Sequence, residues 1–171
     1  MNSKILISLL KTALFVALIA IGGIISFPTP ISEIHFSLQI LFVLLAPLVL
    51  GPAFGTIACA VYVLLGVIGL PIFAGMRAGP VVLIGPTGGY LIGFIISAPF
   101  SGLLSKKVHP LISLSVSLLI IYIIGVLQFS YVTKITLTAG IIGGVLPFLP
   151  FDIFKLLIAY FVYLKLPKEL K

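Results

Sequence analysis

The sequence predicts an all-α membrane protein, a compact bundle of six transmembrane helices with both termini cytoplasmic. Three observations carry that expectation. Of the 171 residues, 61% are hydrophobic and 8% charged. A soluble domain carries roughly 25% charged residues, so this chain lacks the means to cover itself with polar surface. The mean hydropathy is +1.42, and apolar stretches recur along the whole length at about the 20 residues a helix needs to cross a bilayer. The lysines cluster at the ends of those stretches, where membrane topology explains them. Continuous rather than alternating apolar runs argue against a β-barrel.

The first helix covers about residues 5–26 and stops before Pro28 and Pro30. Its Lys4 and Lys11 followed by an apolar run resemble a signal peptide, but Ala20-Ile21-Gly22-Gly23 continues without a polar cleavage region, so a retained helix is expected. A connection from Phe27 to Ile34 leads to a second helix at about 35–50. Gly51-Pro52 makes a tight turn, and a third helix occupies about 53–69. The long connection Leu70 to Pro86 feeds a fourth helix at about 87–104. After the polar loop 105–110 comes a fifth at about 111–129. Residues 131–145 read as a short helix or a re-entrant piece, and a closing helix runs from about 151 to 166. No linker, charge block or composition shift interrupts the chain, so residues 1–171 form one domain.

With the N-terminus inside, Lys4, Lys11, Lys106, Lys107, Lys165, Lys168 and Lys171 face the cytoplasm, while Arg77, Lys134 and Lys155 fall outside. Seven against three sets the orientation. The same placement disposes of a nucleic-acid reading of the net charge of +7. The lone Cys59, inside an apolar stretch, reads as a small buried hydrophobe.

Two stretches stand out. In Gly85-Pro86-Thr87-Gly88-Gly89-Tyr90-Leu91-Ile92-Gly93-Phe94 a Gly/Pro-rich segment turns into an apolar helix. Small residues then recur at Gly85, Gly89, Gly93, Ser97, Ser101 and Ser105, one stripe on which a neighbouring backbone can lie close. The other is Pro147-Phe148-Leu149-Pro150-Phe151-Asp152-Ile153-Phe154-Lys155. A carboxylate in the first turn of a helix is favoured by the helix dipole, and Lys155 lies on the same face. This pair reads either as a cap with a snorkelling lysine or as a ligand site. An Asp within a membrane segment costs about 2.5–3.5 kcal/mol at the bilayer centre, so such residues usually line a cavity or pair. Arg77, the only arginine, comes from the other unusual loop on the same side, as a counter-charge or as an exposed loop cation.

No catalytic or metal constellation is present. His35 and His109 lie in different connections, no His/Cys/carboxylate cluster has metal spacing, and no base stands at a fixed spacing from Ser97, Ser101 or Ser105. The glycines lack the Gly-Lys-Ser/Thr ending of a phosphate loop. No cofactor is expected. On the first helix Ala13, Ala17 and Ala20 share a face, either for packing inside the bundle or as a flat groove for another membrane protein.

Phe73-Ala74-Gly75, the run from Gly85 to Phe94 and the Pro147–Lys155 segment together resemble the signatures of the BioY family, over nearly the whole chain. The Gly-Pro-Thr-Gly-Gly-Tyr run combined with Asp-x-x-Lys is the specific part. The resemblance implies a biotin-binding S component of an energy-coupling factor (ECF) transporter in a prokaryotic plasma membrane. It implies a coupling transmembrane subunit and two ATPase subunits as partners, besides membrane lipid, with the S component tipping over to deliver its cargo. It implies a site of Arg77, Asp152 and Lys155, with Thr87, Gly88, Gly89 and Tyr90 as one wall and Leu70 to Pro86 as a lid. Asp152 would accept a ureido N–H, while Lys155 and Arg77 serve the ureido oxygen or the carboxylate in an order left open. In the family the lid is often richer in glycine than here, where Met76 and Pro80 intervene. An S component for another vitamin is disfavoured by the absence of Trp. A lipid-modifying enzyme lacks its polar cluster, and a structural subunit without ligand stays as the remaining alternative. The topology makes one direct prediction. A cysteine at position 77 should react with a membrane-impermeant thiol reagent from outside the cell; reaction only from inside would reverse the orientation.

Overall fold

The computed structural model describes residues 3–30 and 32–167. An apolar run with charge only at Lys4 and Lys11 forms helix α1 (Ser3–Ile24). Where a plain connection was expected, strands β1 (Ser26–Thr29) and β2 (Ser32–Ser37) form an antiparallel hairpin, pairing Ser26 with Ser37 and Phe27 with Phe36. Pro28 sits at the irregularity in that ladder, the position a residue without an N–H tolerates. The strand takes up His35, so helix α2 begins at Gln39 rather than near residue 35.

Helix α2 (Gln39–Val67) is broken at Gly51, which holds φ +77 and ψ 178. The chain folds back there. The Gln39 side-chain amide donates to the Tyr62 hydroxyl, and a Cβ on Gly55 would stand 2.5 Å from Pro47 Cα. In a straight helix residues 47 and 55 would be about 12 Å apart. The positive φ is the reason glycine occupies the turn. The expected break at Gly51-Pro52 is thus present, as a hairpin of two helical arms, 39–50 and 52–67.

The connection that follows carries an isolated bridge between Phe73 and Arg77 and a one-turn helix, α3 (Val81–Ile84). Helix α4 (Gly88–Leu104) then packs antiparallel on α5 (Pro110–Thr133) along the small-residue stripe. A Cβ on Gly89 would come within 2.5 Å of the Ile124 carbonyl oxygen, and one on Gly93 within 2.9 Å of Ile121 Cα. One turn on, the Ser117 hydroxyl donates to Ser97 O at 3.3 Å, and the Ser113 hydroxyl to Ser101 O at 2.7 Å. Each step of four residues on α4 meets a step of three or four on α5, which is what a small-xxx-small seam permits in lipid.

Helix α5 ends on Lys134 in a left-handed conformation, φ +57. Helices α6 (Leu137–Gly144) and α7 (Leu149–Lys165) are bent by 57° across the Pro147 break. The expected short piece over 131–145 is therefore α6. The shared core is apolar, with Ile19, Leu44, Ala58, Leu114, Ile121 and Ala159 fully buried. Large apolar side chains such as Leu10, Leu14, Leu119 and Leu127 cover the outside. The result is a mostly helical membrane protein. Three helices are long and apolar enough to cross a bilayer, Ile5–Ile24, Gln39–Val67 and Pro110–Thr133, or four if the bent α6–α7 pair counts as one span. Gly88–Leu104 is a shorter apolar helix. The expected count of six is thus not reached by length and composition alone.

Candidate ligand-binding site

A cavity lies at the end of the bundle where β2, the start of α2, the 70–86 connection, the N-terminus of α4 and the entry to α7 converge. Its charged residues come from two directions. The proline-broken entry to α7 places Asp152 in that helix's first turn, where the dipole favours a carboxylate. Asp152 is 4% exposed and Lys155 8%. Lys155 Nζ donates to Asp152 Oδ1 at 2.7 Å, and the Tyr122 hydroxyl on α5 donates to Oδ2 at 2.7 Å. Both carboxylate oxygens are therefore held, which lets a charge persist in so apolar a surrounding. The capping alternative does not describe the pair: Phe148 holds the cap position without a side-chain hydrogen bond, and the lysine is a buried partner rather than a snorkelling one.

Arg77 enters from the opposite wall. Its Nε donates to Ala74 O at 3.1 Å, and Nη2 lies 3.4 Å from His35 Nδ1. The loop that carries it is anchored at several points. Phe73, 1% exposed, packs edge-on to Tyr62 with ring centres 5.7 Å apart. Its ring fills the space over Gly66 that a Cβ would occupy. The Gly75 N–H donates to the Ser26 hydroxyl at 2.8 Å, and the Gly79 N–H to Gly66 O at 2.8 Å. The Tyr62 hydroxyl donates to Ile72 O at 3.0 Å. At the tip Met76 holds φ +54, a left-handed conformation that glycine would adopt without steric cost.

Of the residues singled out in the sequence, the structure brings Arg77, Thr87, Tyr90, Asp152 and Lys155 to this one cavity. It does not bring Gly88 and Gly89 to the lining. They are buried on the seam, Gly88 against Leu83 and Gln128 and Gly89 against Ile124 and Gly125. Tyr90 reaches the wall because Gly125 leaves room for its ring, and its hydroxyl donates to Gly144 O at 2.8 Å. Ala13 and Ala17 lie far from the cavity on the exposed outer face of α1, and Ala20 is half-buried against the core.

Sequence reasoning missed Tyr122, Gln39, His35 and the apolar walls Phe73, Phe94 and Phe148. Gln39 carried a signal, as a polar side chain in an apolar helix asks for a hydrogen-bond partner. Tyr122 carried less, since its ring packs like any apolar side chain and only its hydroxyl asks for a partner. The arrangement offers a carboxylate, an ammonium, a guanidinium and hydroxyls on an aromatic and aliphatic wall. It suits a small, partly apolar molecule with N–H donors at one end and acceptors elsewhere. Among the described residues no group of three or more metal-ligating side chains occurs.

Similarity to known proteins points the same way. The BioY family model matches residues 1–171. The chain is 43% identical over 164 residues to a protein of Thermotoga maritima named biotin transporter BioY, covering 94% of this chain and 95% of that one. It is 43% identical over 143 residues to a probable biotin transporter BioY of Pyrococcus horikoshii, covering 84% and 85%. Among solved structures, the S-component for biotin from an ECF-type ABC transporter superposes with a TM-score of 0.89 at 26% identity, covering 95% of this chain and 92% of the other.

The carboxylate clamp makes a prediction independent of any ligand. Lys155→Met leaves a buried carboxylate without its counter-charge and should destabilise the fold by about 3–5 kcal/mol. Tyr122→Phe removes one hydrogen bond and should cost about 1–3 kcal/mol. Reversible unfolding in mixed micelles measures both, and equal, negligible effects would show that the pair is solvated. With the cavity lined from all three segments that carry the sequence signature, and with the family model matching residues 1–171, this chain belongs to the BioY family.

Proposed function

We propose that the chain binds biotin and serves as the substrate-binding S component of an ECF-type vitamin uptake transporter, a transport subunit rather than an enzyme. The observation that carries this reading is the buried Asp152 clamp facing Arg77 across an aromatic-walled cavity. Biotin has two ureido N–H donors, one ureido carbonyl and a distal carboxylate. Asp152 accepts a ureido N–H, Lys155 and Arg77 serve the carbonyl and the carboxylate, and Phe73, Phe94 and Phe148 enclose the ring system. Thr87 and Tyr90 complete the wall, while Gly88 and Gly89 act by letting α4 sit against α5.

As it stands the cavity is ≈ 70 Å³, well below the roughly 300–1,000 Å³ of a small-molecule site. Phe73, Ala74, Arg77 and Val82 of the 70–86 connection line it, and this segment acts as the lid that lifts to admit the ligand. The whole chain works as a single membrane domain with six crossing segments: α1, the two arms of α2, α4, α5 and α7, with α6 as a re-entrant piece. Both termini are cytoplasmic. That orientation is supported by Lys11 and Lys106 lying around the Gly51 turn, at the end remote from Asp152. Lys168 and Lys171, counted on the same side, lie outside the described residues. The partners are the coupling transmembrane subunit and two ATPase subunits, and the exposed Ala13 and Ala17 form the flat contact on which the coupling subunit slides.

Equilibrium biotin binding to the purified protein tests the site. Asp152→Ala should weaken binding more than a hundredfold, because it strands a buried lysine and removes the ureido acceptor; wild-type affinity in that variant would refute the assignment. A separate measurement addresses docking. Ala17→Leu should lower biotin uptake in cells while leaving binding by the purified protein unchanged, and lost binding would return the alanine face to internal packing.

A further inference from the structure

At the end of the bundle opposite the biotin site lies a second cavity, larger and more polar, of ≈ 460 Å³. Helix α4 connects the two: Thr87 and Tyr90 line the first, and Gly102, Ser105 and Lys106 the second. By the helical rise they are roughly 20–25 Å apart. The second cavity is built around the Gly51 turn. Lys11 and Ser8 enter from α1, Lys106 and Ser105 from the end of α4, and Tyr163 from the last turns of α7. Two ammonium groups and three hydroxyl-bearing residues thus face one hollow.

The surroundings say what kind of anion fits. Leu10 and Leu14 flank Lys11 and are 62% and 58% exposed, so the helix that supplies one cation presents a greasy outer face beside it. A ligand here meets positive charge and hydroxyls at the bundle's end, and hydrocarbon-compatible surface along its flank. Basic hollows between helix ends at the cytoplasmic surface are of the type that holds acidic lipid headgroups.

We propose that this cavity is a binding site for the phosphodiester headgroup of an anionic phospholipid. Lys11 and Lys106 bind the phosphate from two sides, hydroxyls of Ser8 and Tyr163 serve its remaining oxygens, and the acyl chains lie in the bilayer beside Lys11, where they yield the α1 face to the coupling subunit when it docks. The site holds α1, the α2 turn, α4 and α7 together at the end remote from the biotin cavity. The assignment stands on the cavity's own lining and does not depend on the ligand of the first site.

The test uses the full chain in nanodiscs, or in neutral detergent, titrated with phosphatidylglycerol and with phosphatidylcholine of the same acyl chains. The wild type should bind phosphatidylglycerol preferentially, and Lys11→Gln with Lys106→Gln should weaken that binding roughly thirtyfold, about fivefold for each charge. The arginine replacements at both positions should retain it. Lys107→Gln removes an equal charge next door, outside the lining, and should change affinity less than about twofold. Ser105→Leu keeps both lysines but fills the hollow, and should weaken binding even if the double variant folds poorly. Three results would overturn the proposal: no preference for phosphatidylglycerol, an equal loss in Lys107→Gln that marks diffuse surface attraction, or displacement of the lipid by millimolar inorganic phosphate, which would assign the cavity to the free ion.

Discussion

The Asp152 carboxylate is the constraint around which the site end of this protein is arranged. A buried charge in an apolar bundle persists only when its oxygens are occupied, and here Lys155 takes one and Tyr122 the other. Each partner comes with a structural requirement. Lys155 lies one turn along α7, so the helix must start just ahead of Asp152, and the prolines at 147 and 150 with the bend after α6 enforce that start. Tyr122 lies on α5, so α5 must stand at one height and rotation relative to α7. The serine and glycine seam with α4 fixes that height through the pairs Ser101–Ser113 and Ser97–Ser117. A seam that looks like generic packing therefore sets the geometry of a polar clamp.

The lid is held by a different logic. It has few charges and one large anchor, Phe73, pressed over Gly66 and against Tyr62. Among its other ties are hydrogen bonds to Ser26, Gly66, Tyr62 and Gln128, and the approach of Arg77 to His35. Bonds of this kind are each worth about 0.5–1.5 kcal/mol, so many small ties and one buried ring hold the segment in place. The β1–β2 hairpin gives it a floor, and Phe36 ties that floor to α7 through ring contacts of 4.8 Å with Phe148 and Phe151. Lid, hairpin and clamp thus meet around the same cavity, so a ligand that engages Asp152 and Arg77 lies among all three.

Much of this was legible in the sequence, for physical reasons that differ by residue. Arg77, Asp152 and Lys155 stood out because charge is expensive in a membrane chain and its retention needs a cause. The stripe from Gly89 to Ser101 stood out because its spacing matches the helical repeat. Spacing, however, tells which residues share a face and not which neighbour that face meets. For this reason Gly88 and Gly89 were expected at the ligand, whereas they lie on the α5 seam and Tyr90 beside them reaches the cavity. The β1–β2 hairpin was hidden because Phe27-Pro28-Thr29-Pro30 reads as a strand breaker, and only a two-stranded ribbon, all edge, accommodates it. Tyr122 was hidden because its role depends on α5 and α7 meeting, a contact no local pattern encodes. The chain's second glutamine, Gln128, follows the same rule: it closes the start of α4 by donating to Gly85 O at 2.9 Å.

In the proposed complex biotin sits between Asp152 and Arg77 beneath the 70–86 lid. The most direct measurement is a structure of the protein with biotin bound. The ureido ring should lie within hydrogen-bond distance of the Asp152 carboxylate, with the lid displaced outward relative to Phe94 and the α4–α5 seam unchanged. Biotin seated elsewhere, with the Asp152–Lys155–Tyr122 clamp closed and untouched, would contradict that placement.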